Sequence, residues 1–397
     1  NAGMFAYLST PSGAKPTWMS EKYPETRRVG FNRQRDPSGS RHNHCLTSPI
    51  YREKVRVIDE MLAERYKSHP ALALWHIGNE FGGECFCELC IKAFQDWLRE
   101  RYEDDLDALN QAYWSRFWSH SVTKWEHILP FDHGVEGLQM DWRRFMVHQT
   151  VSFIQGEIDA VRKHAPNIPV TTNFMGTYPT NDYWKFEPVL DFISNDSYPA
   201  YEPHWNMWRN AASESFNCDL MRSLKKGKTW IMMESTPGPV NWHEYPLLKR
   251  PGVHRLEMMQ YTAHGSDGNH YFQWRKGRGG FEKYHGAVVD HVGSTETRMF
   301  KDVVEWGAIA KKLSPVVGTS KRPEAAVVFE WESIWATDLA AGHNGHPKEL
   351  KYGHSKHEGP VKDHYAGLWS NGVPVDVLPQ DGDFSKIMDV VQTTFSE

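Results

Sequence analysis

Short apolar runs alternate with longer amphipathic stretches over most of the chain. A short apolar run between turn residues predicts a buried strand, and apolar positions three or four residues apart predict a helix. Strands are predicted at 3–8, 71–75, 168–173, 192–197, 229–233 and 268–274, and helices at 49–66, 87–102, 142–164, 213–223, 255–264 and 297–312. This alternation indicates an α/β fold with a parallel sheet or barrel.

The pattern changes toward the carboxyl end of the chain. Residues 325–331 are predicted to form a strand that opens a second region, and residues 372–378 a further strand. The six strands predicted before that region are fewer than the eight of a closed (β/α)8 barrel. Long loops are predicted at 15–50 and 103–134.

The composition is that of an ordinary globular protein. Of the 397 residues, 40% are hydrophobic and 24% are charged, which is normal for a soluble protein. The formal net charge is −5 without any basic block, which argues against nucleic acid as the main partner. No apolar run approaches the roughly 20 residues that span a bilayer, so no membrane partner is expected.

The cysteines suggest a metal site. Cys85, Cys87 and Cys90 form a C-x-C-x-x-C cluster, Cys45 lies upstream, and Cys218 stands alone. An odd number of clustered cysteines is not a secreted disulfide framework. A zinc ion bound by four thiolates needs ligands that converge from tight loops, so the cluster and Cys45 predict a structural Zn²⁺ site. The alternative is ordinary reduced thiols near a turn.

Two predicted strands end in a glutamate. The apolar run 71–74 leads through Trp75 to Asn79 and Glu80, and the run 230–233 ends at Glu234. Strand carboxyl ends share one face of a parallel barrel, where catalytic groups are placed. Each glutamate alone could cap a helix or pair with an arginine. Together, in this strand order, they predict the two carboxylates of a glycoside hydrolase.

Three motifs then carry a resemblance to a known family. They are Trp75–Gly83 (WHIGNEFGG), Met233–Trp242 (MESTPGPVNW), and Tyr271–Arg275 (YFQWR) followed by Glu282–Gly286 (EKYHG). The chain resembles glycoside hydrolase family 42, the β-galactosidases. The resemblance implies a (β/α)8 TIM barrel with the catalytic acids on strands 4 and 7. It also implies a retaining enzyme that hydrolyses terminal non-reducing β-D-galactosides through a covalent galactosyl-enzyme.

The resemblance also implies roles for individual residues. Glu80 matches the general acid/base and Glu234 the nucleophile. The substrate-binding residues that it implies are Asn79, Trp118, Trp242, Glu282 and His285. Cys45, Cys85, Cys87 and Cys90 match a zinc site of the family, and no catalytic cofactor is expected.

Other interpretations of some residues remain open. His285 could instead lie on a surface helix, and Trp242 and Trp118 could serve only in packing. A predicted strand also ends in Asn195, Asp196 and Tyr198, which are further candidates for substrate contact.

The resemblance further implies an internal fragment of a longer protein. Residues 1–315 would be an incomplete TIM-barrel catalytic domain with strands 3–8, and residues 320–397 the start of a Rossmann- or flavodoxin-like trimerisation domain. The first two βα units would be missing, and poor folding of the isolated chain is expected. The intact protein is expected to be a cytoplasmic bacterial homotrimer acting on β-galactoside oligosaccharides.

Alternative functions also remain open. One is a related barrel glycosidase, an α-L-arabinopyranosidase or a β-glucosidase. Another is an inactive fragment that only binds sugar.

Overall fold

Parallel strands and α-helices alternate along much of the described chain. The computed structural model describes residues 3–131, 134–200, 206–321, 323–340, 358–385, 387 and 389–391. The chain divides into two units. Unit 1 comprises Asn1–Thr172, Tyr178–Asp191 and Glu330–His357, and unit 2 comprises Asn173–Thr177, Phe192–Phe329 and Glu358–Glu397.

Strands and helices occur in the following order. The strands are β1 (Ala6–Ser9), β2 (Leu72–His76), β3 (Val170–Thr171), β4 (Asn173–Phe174), β5 (Ser194–Asp196), β6 (Trp230–Glu234), β7 (Ser266–Asn269), β8 (Ala325–Val328), β9 (Val375–Leu378) and β10 (Asp389–Val391). The α-helices are α1 (Thr17–Lys22), α2 (Pro49–Tyr66), α3 (Glu88–Arg101), α4 (Leu106–Ala112), α5 (Glu136–Arg162), α6 (Met207–Leu224), α7 (Val253–Ala263), α8 (Arg298–Lys312), α9 (Trp331–Leu339) and α10 (Glu358–Ser370). Short 3-10 helices cover Pro24–Thr26, Phe117–Ser119, Trp125–His127, Glu187–Val189 and Ser314–Val316.

Unit 1 contains a parallel sheet with the strand order β1-β2-β3. Strand β2 is central, with Leu74 paired to Tyr7 of β1 and Trp75 paired to Val170 of β3. Leu74 and Trp75 are both buried. A central strand covered in this way needs apolar side chains on both faces, which explains its continuous apolar sequence.

Helices α2 and α5 pack against each other in unit 1. Helix α2 begins at Pro49, whose fixed φ suits a first helical turn, and the Ser48 side chain accepts a hydrogen bond from the Tyr51 amide. The buried residues of α2 are four positions apart and therefore lie on one face of the helix. They are Tyr51, Val55, Asp59 and Ala63. Asp59 is the carboxylic acid on this face.

Unit 2 contains two parallel sheets. The first has the order β4-β5-β6-β7, and its strand β6 buries Trp230 and Met232. The second has the order β10-β8-β9, and all residues of its central strand β8 are buried. Helix α6 packs on β9 and on α10. Both sheets therefore have the parallel character that the sequence predicts.

The structure corrects several boundaries. The predicted strand 168–173 is two short strands, β3 and β4, that pair in different sheets. The predicted strand 268–274 ends at Asn269, and the predicted strand 325–331 ends at Val328 because the chain enters α9 at Trp331. Helix α4 lies inside the predicted loop 103–134, where the Asp105 side chain caps it.

Membrane-spanning helices are not found in the described part of the chain. None of its helices combines the necessary length with the necessary apolarity.

Candidate active site

In unit 1, strand β2 leads into a tightly shaped turn that carries Glu80. Gly78 has a φ of 56° and Glu80 a φ of 40°, both in the left-handed region. A Cβ on Gly78 would lie 2.2 Å from the Phe81 ring, so a side chain does not fit there. Strained backbone of this kind is typical of functional sites.

The Glu80 carboxylate lies among polar groups of unit 1. Its Oε2 is 2.5 Å from Nη2 of Arg41 and 3.5 Å from Nδ2 of Asn79. The Glu80 side chain is 10% exposed, whereas that of Arg41 is 57% exposed. Glu80 is therefore paired with an arginine, which is one of the alternatives that the sequence left open for a single glutamate. The sequence does not single out Arg41, because it lies in the long polar loop 15–50.

In unit 2, Glu234 is the last residue of β6. Tyr198, just after β5, donates a hydrogen bond from its hydroxyl to Glu234 Oε2 at 2.6 Å. The Ser197 amide donates to the Glu234 carbonyl at 2.9 Å, which fixes the two strand ends side by side. A short hydrogen bond from a phenol fixes the orientation of the carboxylate.

Aromatic rings surround Tyr198 in unit 2. Its ring centroid is 5.5 Å from Trp242 and 5.3 Å from His285, both edge-on. The Phe272 ring lies 5.1 Å from His285. Unit 2 thus brings together the predicted residues Glu234, Trp242 and His285, with Tyr198 as their common neighbour.

His285 is buried, at 1% exposure, and lies outside any helix, so the alternative of a surface helix residue is wrong. Burial is the main cause that lowers the pKa of His285 below its usual value. A neutral imidazole both donates and accepts a hydrogen bond, as recognition of a hydroxyl requires. The His285 amide also donates to the carbonyl of Glu282, a half-buried residue, at 3.0 Å.

The two candidate tryptophans are not core residues. Trp242 is 51% exposed in unit 2, and Trp118 is 77% exposed in unit 1. The alternative that these tryptophans serve only in core packing is therefore wrong for both. Trp118 lies in a short 3-10 turn with its ring 4.7 Å from that of Phe117.

Asn195 and Asp196 form hydrogen bonds with residues in and just after strand β4 of unit 2. The Gly176 amide donates to Asn195 Oδ1 at 2.8 Å, and Asn173 Nδ2 donates to Asp196 Oδ2 at 2.5 Å. Both residues are buried. These contacts give them a structural task at the end of β5.

In unit 1, the four predicted cysteines converge on one point. The Sγ atom of Cys45 is 3.5 Å from those of Cys87 and Cys90, and the four sulfur atoms lie within 4.8 Å of one another. All four are buried and free. These separations exceed a disulfide bond and match the spacing of about 3.8 Å around a tetrahedral zinc. The cluster could therefore hold a metal ion such as zinc.

The chain matches family profiles over almost its whole length. A profile described as β-galactosidase matches residues 1–313, and one described as β-galactosidase trimerisation domain matches residues 323–393. The chain belongs to glycoside hydrolase family 42. Membership of family 42 implies a TIM-barrel-like α/β fold, in agreement with the parallel sheets.

Several known β-galactosidases are similar to this chain over most of its length. The β-galactosidase BglY of Alicyclobacillus acidocaldarius is 50% identical over 385 residues, which are 96% of this chain and 55% of that protein. The β-galactosidase Pbg of Clostridium perfringens is 48% identical, over 98% of this chain and 56% of that protein. The crystal structure of a β-galactosidase from Rahnella sp. R3 has a TM-score of 0.93 at 47% identity, covering 98% of this chain and 57% of that one. The chain thus spans little more than half the length of these relatives.

Proposed function

We propose that this chain carries the catalytic carboxylates of a retaining β-galactosidase that acts on terminal non-reducing β-D-galactosides. The observation that carries the proposal is the position of two glutamates in a family 42 chain: Glu234 ends the parallel strand β6, and Glu80 lies in the turn that follows the parallel strand β2. Glu234 acts as nucleophile and Glu80 as general acid/base. Retaining enzymes hold these two carboxyl groups about 5–5.5 Å apart.

The reaction proceeds in two displacements. Glu234 forms a bond to the anomeric carbon while the glycosidic bond breaks and Glu80 gives its proton to the departing oxygen. Glu80 then takes a proton from water, and the water oxygen displaces Glu234 from the anomeric carbon. The product is galactose with the original anomeric configuration.

The neighbouring side chains bind the sugar in this proposal. Asn79 holds the 2-hydroxyl, and Glu282 and His285 hold other galactose hydroxyls. Trp242 and Trp118 offer exposed rings to the apolar face of a sugar. The buried, neutral ring of His285 and the exposure of both tryptophans support these roles.

The finer architecture also belongs to this proposal. Strands β1, β2, β3 with β4, β5, β6 and β7 are strands 3–8 of the (β/α)8 barrel. The catalytic domain covers residues 1–315, and a Rossmann-like trimerisation domain begins near residue 320, supported by the two family matches and the parallel sheet around β8. The protein is then a homotrimer, and its four-cysteine cluster holds a structural Zn²⁺.

The role of Glu80 is tested with the Glu80→Ala variant. We expect kcat/KM for lactose to fall by about 10²–10⁴-fold because the leaving group loses its proton donor. Added azide should restore turnover of nitrophenyl β-galactoside and yield β-galactosyl azide, since azide replaces water in the second displacement. The exposed Glu64 on α2 provides the control, and Glu64→Ala should keep full activity.

Two outcomes would count against this proposal. An azide product of α configuration from Glu80→Ala would contradict the acid/base role. A higher kcat/KM of the unmodified chain for nitrophenyl glucoside or arabinopyranoside than for the galactoside would contradict the proposed substrate.

The hydroxyl of Tyr198 is expected to matter for the first displacement. Tyr198→Phe removes one hydrogen bond to a charged carboxylate, worth about 1.5–3 kcal/mol, so kcat should fall about 10- to 100-fold. KM should change little, since the ring that contacts Trp242 and His285 remains. Steady-state kinetics beside Tyr245→Phe, an exposed tyrosine of the same unit, checks this. Equal kcat in both variants would show that the bond has no catalytic role.

A further inference from the structure

Backbone hydrogen bonds hold the end of strand β6 in unit 2 as far as Ser235. The Ser197 amide donates to the Glu234 carbonyl at 2.9 Å, and the Phe272 amide donates to the Ser235 carbonyl at 2.8 Å. Ser197 lies just after β5 and Phe272 shortly after β7, the two strands that flank β6. Such bonds fix the backbone that carries the proposed nucleophile.

The next carbonyl group along the chain, that of Thr236, accepts a hydrogen bond from a buried lysine. Nζ of Lys249 lies 2.5 Å from the Thr236 oxygen and also donates to the Glu257 carboxylate. Lys249 and Glu257 are each 4% exposed. Glu257 lies on α7, and Nη2 of Arg298 donates to the Lys249 carbonyl at 2.6 Å. The ammonium group therefore supplies the kind of hydrogen bond that backbone amides supply to the two carbonyls before it.

Stability alone does not account for an ion pair that is buried at this place. Taking both charges out of water costs free energy, and apolar residues of similar volume are often as stable or more stable. An apolar pair, however, could not donate a hydrogen bond to the Thr236 carbonyl. Thr236 is 1% exposed, so water could hardly replace the lysine as donor.

The turn at Thr236 packs tightly against the segment that carries His285. A Cβ on Gly286 would lie 2.3 Å from Oγ1 of Thr236 and 2.8 Å from the carbonyl carbon of Gly238, so a side chain does not fit there. The Gly286 amide also donates to the Pro239 carbonyl at 2.7 Å. A shift of the turn would therefore shift the backbone next to His285 as well.

We propose that Lys249 and Glu257 form an anchor pair that holds the turn after Glu234 and keeps it in register with His285. The Lys249 ammonium fixes the Thr236 carbonyl, and Glu257 fixes the ammonium. Both are positioning residues, because they act through the backbone of the turn and not on the sugar itself. Their role rests on the functions proposed for Glu234 and His285.

The double variant Lys249→Met/Glu257→Met removes the anchor pair without leaving one charge buried alone. We expect its thermal midpoint to stay close to that of the unmodified chain. Its kcat/KM should fall by about 10- to 100-fold, as expected for a small misplacement of a reacting group. The fall should be of equal size for lactose and for dinitrophenyl β-galactoside, because the anchor pair acts on the nucleophile and not on the proton donor.

Three results from the double variant would overturn the anchor pair. An unchanged kcat/KM would show that the contact has no effect on the reaction. A loss on lactose alone would place the defect at the general acid. A variant that no longer folds would show that the two residues serve stability.

Two further variants show whether the loss comes from the anchor pair. Glu257→Gln keeps an oxygen that accepts from Lys249, and kcat/KM should fall by less than about threefold. Lys301→Met/Glu296→Met removes an exposed lysine–glutamate pair of the same unit, with Nζ and Oε2 2.8 Å apart, and should leave kcat/KM unchanged. An equal loss in this control and in the double variant would contradict a specific role of Lys249.

The Thr236 carbonyl can be observed directly, which separates this inference from the proposed function. Threonine labelled with ¹³C at the carbonyl and proline labelled with ¹⁵N give two carbonyl–nitrogen NMR signals, because Thr-Pro occurs in the sequence at 10–11 and 236–237 alone. In the double variant we expect the Thr236 signal to move, since its oxygen loses a hydrogen bond, and the Thr10 signal to stay.

The two possible failures then look different. An unmoved Thr236 signal would overturn the anchor pair whatever the activity. A moved Thr236 signal, together with an unmodified chain that has no galactosidase activity, would instead refute the proposed function and leave the hydrogen bond from Lys249 as described.

Discussion

Replacing Glu234 by alanine is expected to abolish turnover of nitrophenyl β-galactoside, with kcat reduced by more than about 10⁴-fold. In the proposed mechanism this carboxylate forms the covalent bond to the sugar, and no other group in the reaction replaces it. With azide added, the variant should form α-galactosyl azide, because a single displacement inverts the anomeric carbon. Initial rates and the anomeric configuration of the azide product are the measurements.

Glu244→Ala is the control for this variant. Glu244 is an exposed glutamate on the same segment as Trp242, and its loss should leave kcat unchanged. Retained hydrolysis by Glu234→Ala without azide, or a β-galactosyl azide product when azide is added, would refute the role of Glu234. Circular dichroism of both variants shows whether a loss of activity comes with a loss of fold.

Loss of metal binding at the four-cysteine cluster is expected to have the second large effect, a lower thermal stability. We expect about one Zn²⁺ per chain, since binding by four thiolates is worth about 10 kcal/mol or more and is coupled to folding. Cys90→Ser should abolish zinc binding and lower the thermal midpoint, because Cys90 is buried in the core beside Phe94 and Trp142. Elemental analysis and calorimetry are the measurements.

The lone cysteine gives this experiment a close control. Cys218 is buried to the same degree but lies on α6, outside the cluster. The Cys218→Ser variant should therefore still bind zinc, even though the substitution changes the packing around a buried residue of α6. An unmodified chain free of zinc after purification in zinc-containing buffer would contradict the metal site. Equal thermal midpoints for Cys90→Ser and the unmodified chain would contradict its structural role.

Loss of the metal should also lower activity. Cys85 and Cys87 follow Glu80 closely in sequence, and Cys45 follows the loop residue Arg41 that contacts Glu80. A metal bound by these residues joins two segments that shape the surroundings of Glu80. In this proposal the zinc is structural, and the acid/base role proposed for Glu80 depends on it.

The features that the sequence predicts correctly have strong local signals. Strand β2 is a buried apolar run with a polar end, and its neighbours on both sides explain that composition. The spacing of the cysteines predicts that four of them meet, and their sulfur atoms do converge. Both signals arise because burial and ligand chemistry restrict the residue types at those positions.

Features that depend on distant contacts could not be predicted. Arg41 contacts Glu80 across 39 residues, and Tyr198 contacts Glu234 across 36. Asp59 and Glu157 look like solvent-facing acids of amphipathic helices, and only their burial shows otherwise. The division of 168–173 into β3 and β4 likewise depends on which strand each half pairs with. Such pairings are set by tertiary structure rather than by local preference.

The central claim is that Glu234 forms a covalent bond to galactose. A slow, fluorinated galactosyl donor should accumulate this intermediate, and peptide mass spectrometry should find one fluorogalactosyl group on Glu234. An adduct on Glu80 or on another residue, or rapid turnover of the unmodified chain with no adduct at all, would contradict the account.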